Sequence, residues 1–292
     1  MARPARHQHG RPHPQNQSMP RTTPDNSPRL QPLTPPPLGR NPAPMFPIRD
    51  HNPTHKTPFV TYALIALNLG IFISYYPMFS DARALNAFFF DWAMIPARIT
   101  SGDGAYTLVT SQFLHGGIMH LAGNMLFLWI FGDNMEEQFG HTGFALFYLA
   151  SGVIAALAQV VASPGSMVPT VGASGAIAGV MGGYLLLFPR AKVDILIIFI
   201  VFFRVFTIPA FVMLGLWFGL QIFSGIGSNA DMGGVAYWAH AGGFVAGLAL
   251  TLPKFLKLGG MAFWARTHGH PPHPDAEYDL SRSNIPRVRK RR

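Results

Sequence analysis

The stretch Val171-Gly172-Ala173-Ser174-Gly175-Ala176-Ile177-Ala178-Gly179-Val180-Met181-Gly182-Gly183-Tyr184-Leu185-Leu186-Leu187-Phe188 carries no charge and stands between Pro169 and Pro189. It is long and apolar enough to read as a membrane span, with the prolines as punctuation. Ser174 falls one turn inside it. The glycines and alanines around Ser174 let neighbouring helices approach its backbone closely, the usual way helices pack in lipid. Taken alone, the stretch reads either as such packing, with the serine as interhelical glue, or as a site built around a hydroxyl.

Composition sets the surroundings. Of 292 residues, 49% are hydrophobic and 12% charged, about half the charged share of a soluble domain. The chain therefore belongs in a lipid bilayer. It has no cysteine, which excludes disulfides, thiolate metal sites and a cysteine nucleophile. The net charge of +9 comes from the two tails and one loop, outside the apolar body. It is better explained by membrane orientation than by nucleic acid, which is not an expected partner.

Residues 1–57 are rich in Pro, Arg, Asn, Gln and His without aliphatic periodicity, and a disordered cytosolic tail with no apolar signal-peptide core is expected. Apolar runs then predict six spans at about 59–76, 118–131, 143–162, 171–188, 206–223 and 235–252, within a domain covering 58–253. The fold class is an all-α membrane protein. A long amphipathic loop, 77–117, follows the first span and suits the outer interface. The apolar run 193–223 is too long for one span and is interrupted by Arg204 and Pro209. It is divided into an interfacial segment, 193–203, anchored by Lys192 and Arg204, and the fifth span. Residues 254–292 form a basic cytosolic tail.

Six spans put both termini on one side. If that side is the cytoplasm, the basic tails, Arg190, Lys192 and Arg204 all lie inside and only Arg83 and Arg98 outside, as the positive-inside rule requires. The expected location is the cell (inner) membrane, multi-pass, with both termini cytoplasmic.

With this topology the second, fourth and sixth spans run in one direction, so depth can be compared by counting. His120 and Asn124, Ser174, and His240 all fall within roughly 10 Å of the outer interface. His120 and Asn124 share one helix face. Each has a bland reading as an interhelical hydrogen-bonder, but together they place a nucleophile, a base and donors at one depth. Serine with histidine is the minimum for nucleophilic catalysis, the imidazole taking the hydroxyl proton. No acidic residue lies in the spans near His240, so a dyad is expected rather than a triad. Its orientation must come from packing, through small residues including the Gly243-xxx-Gly247 pair. The His120 and Asn124 side chains and the Ser174 backbone N–H form an expected oxyanion hole at a helix N-terminus.

These motifs are similar to those of a known family. Gly172-Ala173-Ser174-Gly175, Ala239-His240 followed by Gly243 and Gly247, and His115-xxxx-His120-xxx-Asn124 resemble the rhomboid intramembrane serine proteases over about residues 58–253. The resemblance implies a six-transmembrane-helix rhomboid fold, with Ser174 as nucleophile and His240 as general base. It further implies that His120 and Asn124 stabilise the oxyanion, that His115 is a structural or water-ordering residue near the site, and that the substrates are single-span transmembrane proteins. Two departures stand out. The loop after the first span lacks the Trp-Arg pair of many members, and Ala178 stands where some members carry a tyrosine under the histidine.

No cofactor is expected. A metal is not expected either: His115 and His120 are poorly spaced for one helix face, and the topology puts His141 on the opposite side of the membrane. Two other functions compete with proteolysis. A catalytically inactive rhomboid-like binder or escort of membrane proteins is disfavoured by the intact serine and histidine. A polar-lined transporter would want its polar groups at the midplane.

Overall fold

The computed structural model describes residues 45–199, 202–228 and 234–271. Most of the expected N-terminal tail, 1–44, and the end of the basic tail, 272–292, lie outside the described residues. Strand β1 (Met45–Asp50) leads to α1 (Phe59–Tyr75), which continues as a 3-10 turn to Ser80. Three short helices, α2 (Ala82–Trp92), α3 (Pro96–Thr100) and α4 (Thr107–Thr110), fill the loop before α5 (Ile118–Phe139). Then come α6 (His141–Ala162) and α7 (Ser174–Leu187), the strands β2 (Lys192–Phe199) and β3 (Phe202–Pro209), α8 (Ala210–Gly227), α9 (Tyr237–Lys257) and α10 (Met261–Thr267).

Among the described residues, four helical segments are long and apolar enough to cross a membrane: Phe59–Ser80, His141–Ala162, Ala210–Gly227 and Tyr237–Lys257. The pair Thr107–Phe113 and Ile118–Phe139, bent by 95°, counts as a fifth when its two helices are taken as one broken span. The remaining expected span is α7, and it is short. Its 14 residues extend about 21 Å, against a hydrocarbon core about 30 Å thick. It is also the centre of the bundle: every residue from Gly175 to Tyr184 is buried.

Glycine makes that centre possible. A Cβ added at Gly243 or Gly247 of α9 would fall inside the envelope of the Gly175 or Gly179 carbonyl of α7, and one at Gly182 would meet the Phe244 carbonyl. On the other side, Ala155 and Ser151 of α6 lie where side chains on Gly175 and Gly179 would have to go. Small residues at helical spacing thus bring three backbones together, the close packing that drives association in lipid.

A three-stranded antiparallel sheet, in the order β1-β2-β3, adds to the helical body. Of the run 193–203, expected as an interfacial segment, residues 193–199 and 202–203 instead belong to the β2 and β3 pairing. Its β-branched and aromatic residues suit a strand, and its partner β1 comes from within the segment expected to be disordered. Asp194 makes the sheet specific. Buried on β2, its carboxylate accepts from Arg49 at 2.7 Å, pairs with His51 at 3.0 Å and accepts from Thr207 at 2.6 Å. Burial would raise the Asp194 carboxyl, but those three hydrogen bonds hold it down to about 2. Asp50, at the end of β1, accepts from the Tyr184 hydroxyl of α7 at 2.7 Å. Burial pushes this carboxyl up to about 8, against the Tyr184 hydrogen bond.

The helix α5 runs on through Asp133, Glu136 and Glu137, past the end expected at 131. Glu136 explains why. α1 begins after Pro58 with no side-chain cap of its own, and its first amides need an acceptor. Glu136 supplies it, accepting from Val60 N–H at 2.9 Å, Thr61 N–H at 2.8 Å and the Thr61 hydroxyl at 2.7 Å, with His141 also bound. A carboxylate at a helix N-terminus is the favourable polarity.

Candidate active site

Ser174 is the first residue of α7, and the approach to it requires a glycine. Gly172 has φ +133°, and a Cβ there would lie 2.9 Å from His120 Cε1 and Nε2. Only glycine allows the His120 ring so close to this backbone. Gly172 N–H donates to the Ser111 carbonyl at 3.0 Å, and Met94 and Thr170 exchange two backbone hydrogen bonds at 3.1 and 2.7 Å. The loop before α5 therefore holds the segment that delivers the serine. Arg98 anchors that loop, pairing with Asp103 at 2.7 Å and lying 4.6 Å over the Phe90 ring. These contacts do the anchoring in a loop that has no Trp-Arg pair.

His240 sits in the first turn of α9, and its Nε2 lies 2.7 Å from Ser174 Oγ. Its Nδ1 lies 2.8 Å from Gln221 Oε1 of α8, and Trp217 packs at a ring distance of 5.7 Å. The close contacts of Gly175 with α6, and of Gly243 and Gly247 with α7, hold this pair at hydrogen-bond distance.

His120 and Asn124 share one face of α5, as their spacing predicts. Gly116 N–H donates to His120 Nδ1 at 3.4 Å. Nδ1 is therefore the acceptor and Nε2 carries the proton, directed at Gly172 beside Ser174. Asn124 is buried, and its Nδ2 has no hydrogen-bond partner among the described residues. A buried amide donor left unspent is uncommon, and a negative oxygen in the cavity would satisfy it. The backbone N–H of Ser174 opens α7, so it belongs to the helix end that favours negative charge.

His115 is fully buried and its ring packs edge-on against His120 at 5.2 Å. Its backbone is held at both ends by Tyr75, whose hydroxyl donates to the His115 carbonyl at 2.9 Å and accepts from its N–H at 2.7 Å. That clamp sits at the bend before α5. His141, by contrast, binds Glu136 near the far end of α5, about 24 Å along the helix from His120. No group of three or more His, Cys, Asp or Glu suited to a metal occurs among the described residues.

A cavity of about 1220 Å³ joins these groups, with Ser174, His240, His120, Asn124 and Trp217 on its wall. Ser228 and Gly234 also line it. Residues 229–233, between these two, lie outside the described residues. Two contributors were not foreseen. Gln221 is the only amide in the apolar run 206–223, which was the signal available. Trp217 gave none, because aromatics are ordinary in a span.

A multi-helix membrane body with a serine and a histidine in hydrogen-bond contact, beside uncommitted donors, is built like a hydrolase site. Sequence comparison matches a Rhomboid domain over residues 103–257, and the chain belongs to the rhomboid family. It is 34% identical over 203 residues to Rhomboid protease GluP of Bacillus subtilis (strain 168), covering 68% of this chain and 36% of that protein. It is 32% identical over 157 residues to RHOMBOID-like protein 4 of Arabidopsis thaliana, covering 52% and 35%. With Rhomboid-like protein 11, chloroplastic, of Arabidopsis thaliana, it shares 34% over 131 residues, covering 45% and 43%. The match thus spans little more than a third of the length of the first two relatives.

Proposed function

We propose that this chain is an intramembrane serine protease that uses a dyad of Ser174 and His240. The observation that carries the reading is the 2.7 Å contact between His240 Nε2 and Ser174 Oγ. His240 Nε2 takes the hydroxyl proton as Oγ attacks the carbonyl carbon of the scissile bond. The carbonyl oxygen becomes negative and accepts from His120 Nε2–H, Asn124 Nδ2–H and the Ser174 N–H. The imidazolium then gives its proton to the departing amide nitrogen, leaving the acyl group on Ser174 Oγ. Water, with His240 again as base, completes hydrolysis.

The substrates are proteins with a single transmembrane segment, cut near its outer end, in a cell inner membrane with both termini of the enzyme cytoplasmic. The short α7 supports the position of the cut: with its C-terminal end at the inner surface, Ser174 lies about 9 Å below the outer edge of the hydrocarbon. There, freed backbone groups of an unwound substrate can reach water and protein partners rather than lipid. In proteoliposomes, mass spectrometry of fragments from a designed single-span substrate should show cleavage at the outer end. Cleavage should slow when Gly, Ala or Pro near the site is replaced by Leu, which strengthens the helix. A cut near the cytoplasmic end, or indifference to those replacements, refutes the mechanism.

A further inference from the structure

The amide of Gln221 determines which nitrogen of His240 carries a proton. Gln221 Nε2 lies 3.3 Å from the Trp217 main-chain carbonyl oxygen, and that oxygen can only accept. The NH2 end of the amide therefore faces the carbonyl, which leaves Oε1 facing His240 Nδ1 at 2.8 Å. An amide oxygen also only accepts. Nδ1 is then the N–H nitrogen, and the free lone pair is on Nε2, 2.7 Å from the Ser174 hydroxyl. That is the tautomer a general base requires.

Burial makes the arrangement firm. Gln221 is 9% exposed, so little water competes for its oxygen. Trp217, one turn earlier on α8, lies on the same helix face and packs beside the His240 ring at an interplanar angle of 31°. α8 thus supplies both the aromatic neighbour and the polar restraint of the base.

Resting on the protease reading above, we propose that Gln221 is the positioning residue of the dyad, in the place an acidic residue takes in a triad. It holds His240 in the Nδ1–H tautomer and goes on accepting from Nδ1 while Nε2 carries the serine proton. The test compares Gln221→Met, nearly isosteric but without an acceptor, with Gln221→Glu, which keeps an acceptor oxygen. Both are assayed in the full chain for kcat and KM on a single-span substrate, with thermal unfolding alongside. Gln221→Met should lower kcat by about 10-fold or more, bounded by the ~10⁴-fold loss that a wrong histidine tautomer causes in a triad. KM and melting temperature should hold, and Gln221→Glu should recover much of the loss. If Gln221→Met does not fold, Gln221→Asn, too short to reach Nδ1, takes its place. A folded acceptor-free variant with unchanged kcat, a loss confined to KM, or a Glu variant no better than Met overturns the role. If the wild type cleaves in a Ser174-dependent way while these variants are unimpaired, only the Gln221 role falls. A wild type that neither cleaves nor reacts with serine probes removes the protease reading and this role with it.

Discussion

Replacing Gly247 by alanine adds one methyl group two turns below His240, on the face of α9 that meets α7. The new Cβ would stand 2.6 Å from Gly179 Cα and closer still to the Gly179 carbonyl oxygen. Both obstacles are backbone, so no side chain can swing aside, and the helices must part by about 1.5 Å to restore an ordinary contact of at least 3.4 Å with that oxygen. Carried up to the dyad, that shift lengthens the 2.7 Å contact between His240 and Ser174 beyond hydrogen-bond range. Misplacement of this size costs about 100-fold in rate, while overpacking costs about 1–3 kcal/mol of stability. Gly247→Ala should therefore fold, melt somewhat lower and lose about two orders of magnitude in kcat. Gly219→Ala is the control: a Cβ there meets nothing within 4 Å, and rate and stability should stay near wild type. The assay is cleavage of a single-span substrate in proteoliposomes, with thermal unfolding in detergent. A Gly247→Ala enzyme within threefold of wild-type kcat would refute the argument that α7 and α9 backbone contact sets the dyad distance.

Other outcomes follow from the same geometry. Ser174→Ala and His240→Ala should each remove proteolysis from a folded protein, and the double variant should match either single one, because the pair acts as a unit; substantial activity in His240→Ala would exclude the dyad. His120→Ala and Asn124→Ala should lower kcat by about 100- to 1,000-fold with little change in KM, and a rise in KM alone would make them binding groups. The folded protein keeps a proton on Asp50 up to about pH 8, whereas the free carboxyl releases it near 3.8. Stability from this group is therefore complete below about pH 4 and is lost as pH rises toward 8. The melting temperature of the wild type should fall between pH 5 and pH 8 and that of Asp50→Asn should fall less; parallel curves would contradict this. Chelators should leave activity intact, and stoichiometric zinc lost together with activity would overturn that expectation.

The site was more legible than its supports. Ser174, His240, His120 and Asn124 could be brought together from sequence because helices have fixed rise and period, so counting from a common surface places side chains in depth and on a face. The glycines at 243 and 247 were legible for the same reason. What counting could not supply were partners distant in the chain. β1 pairs with β2 across more than a hundred residues, and the polar, proline-rich sequence around Met45–Asp50 has no strand periodicity. The β2 run reads as membrane-seeking because its hydrophobicity resembles that of a span; only the Asp194 cluster reveals it as a strand. Glu136 falls past the expected end of the second span at 131, yet it caps α1, an acceptor role that no local pattern announces. Gln221 was visible as a lone amide, but its meaning depended on which ring it would meet.

The central claim is that Ser174 is a nucleophile activated by His240. Purified full-length protein treated with a fluorophosphonate probe, then digested and sequenced by mass spectrometry, tests it most directly. One adduct is expected, on Ser174 Oγ, absent from Ser174→Ala and strongly slowed in His240→Ala. No adduct on folded protein, an adduct on another serine, or labelling of Ser174 at an unchanged rate without His240 would contradict it.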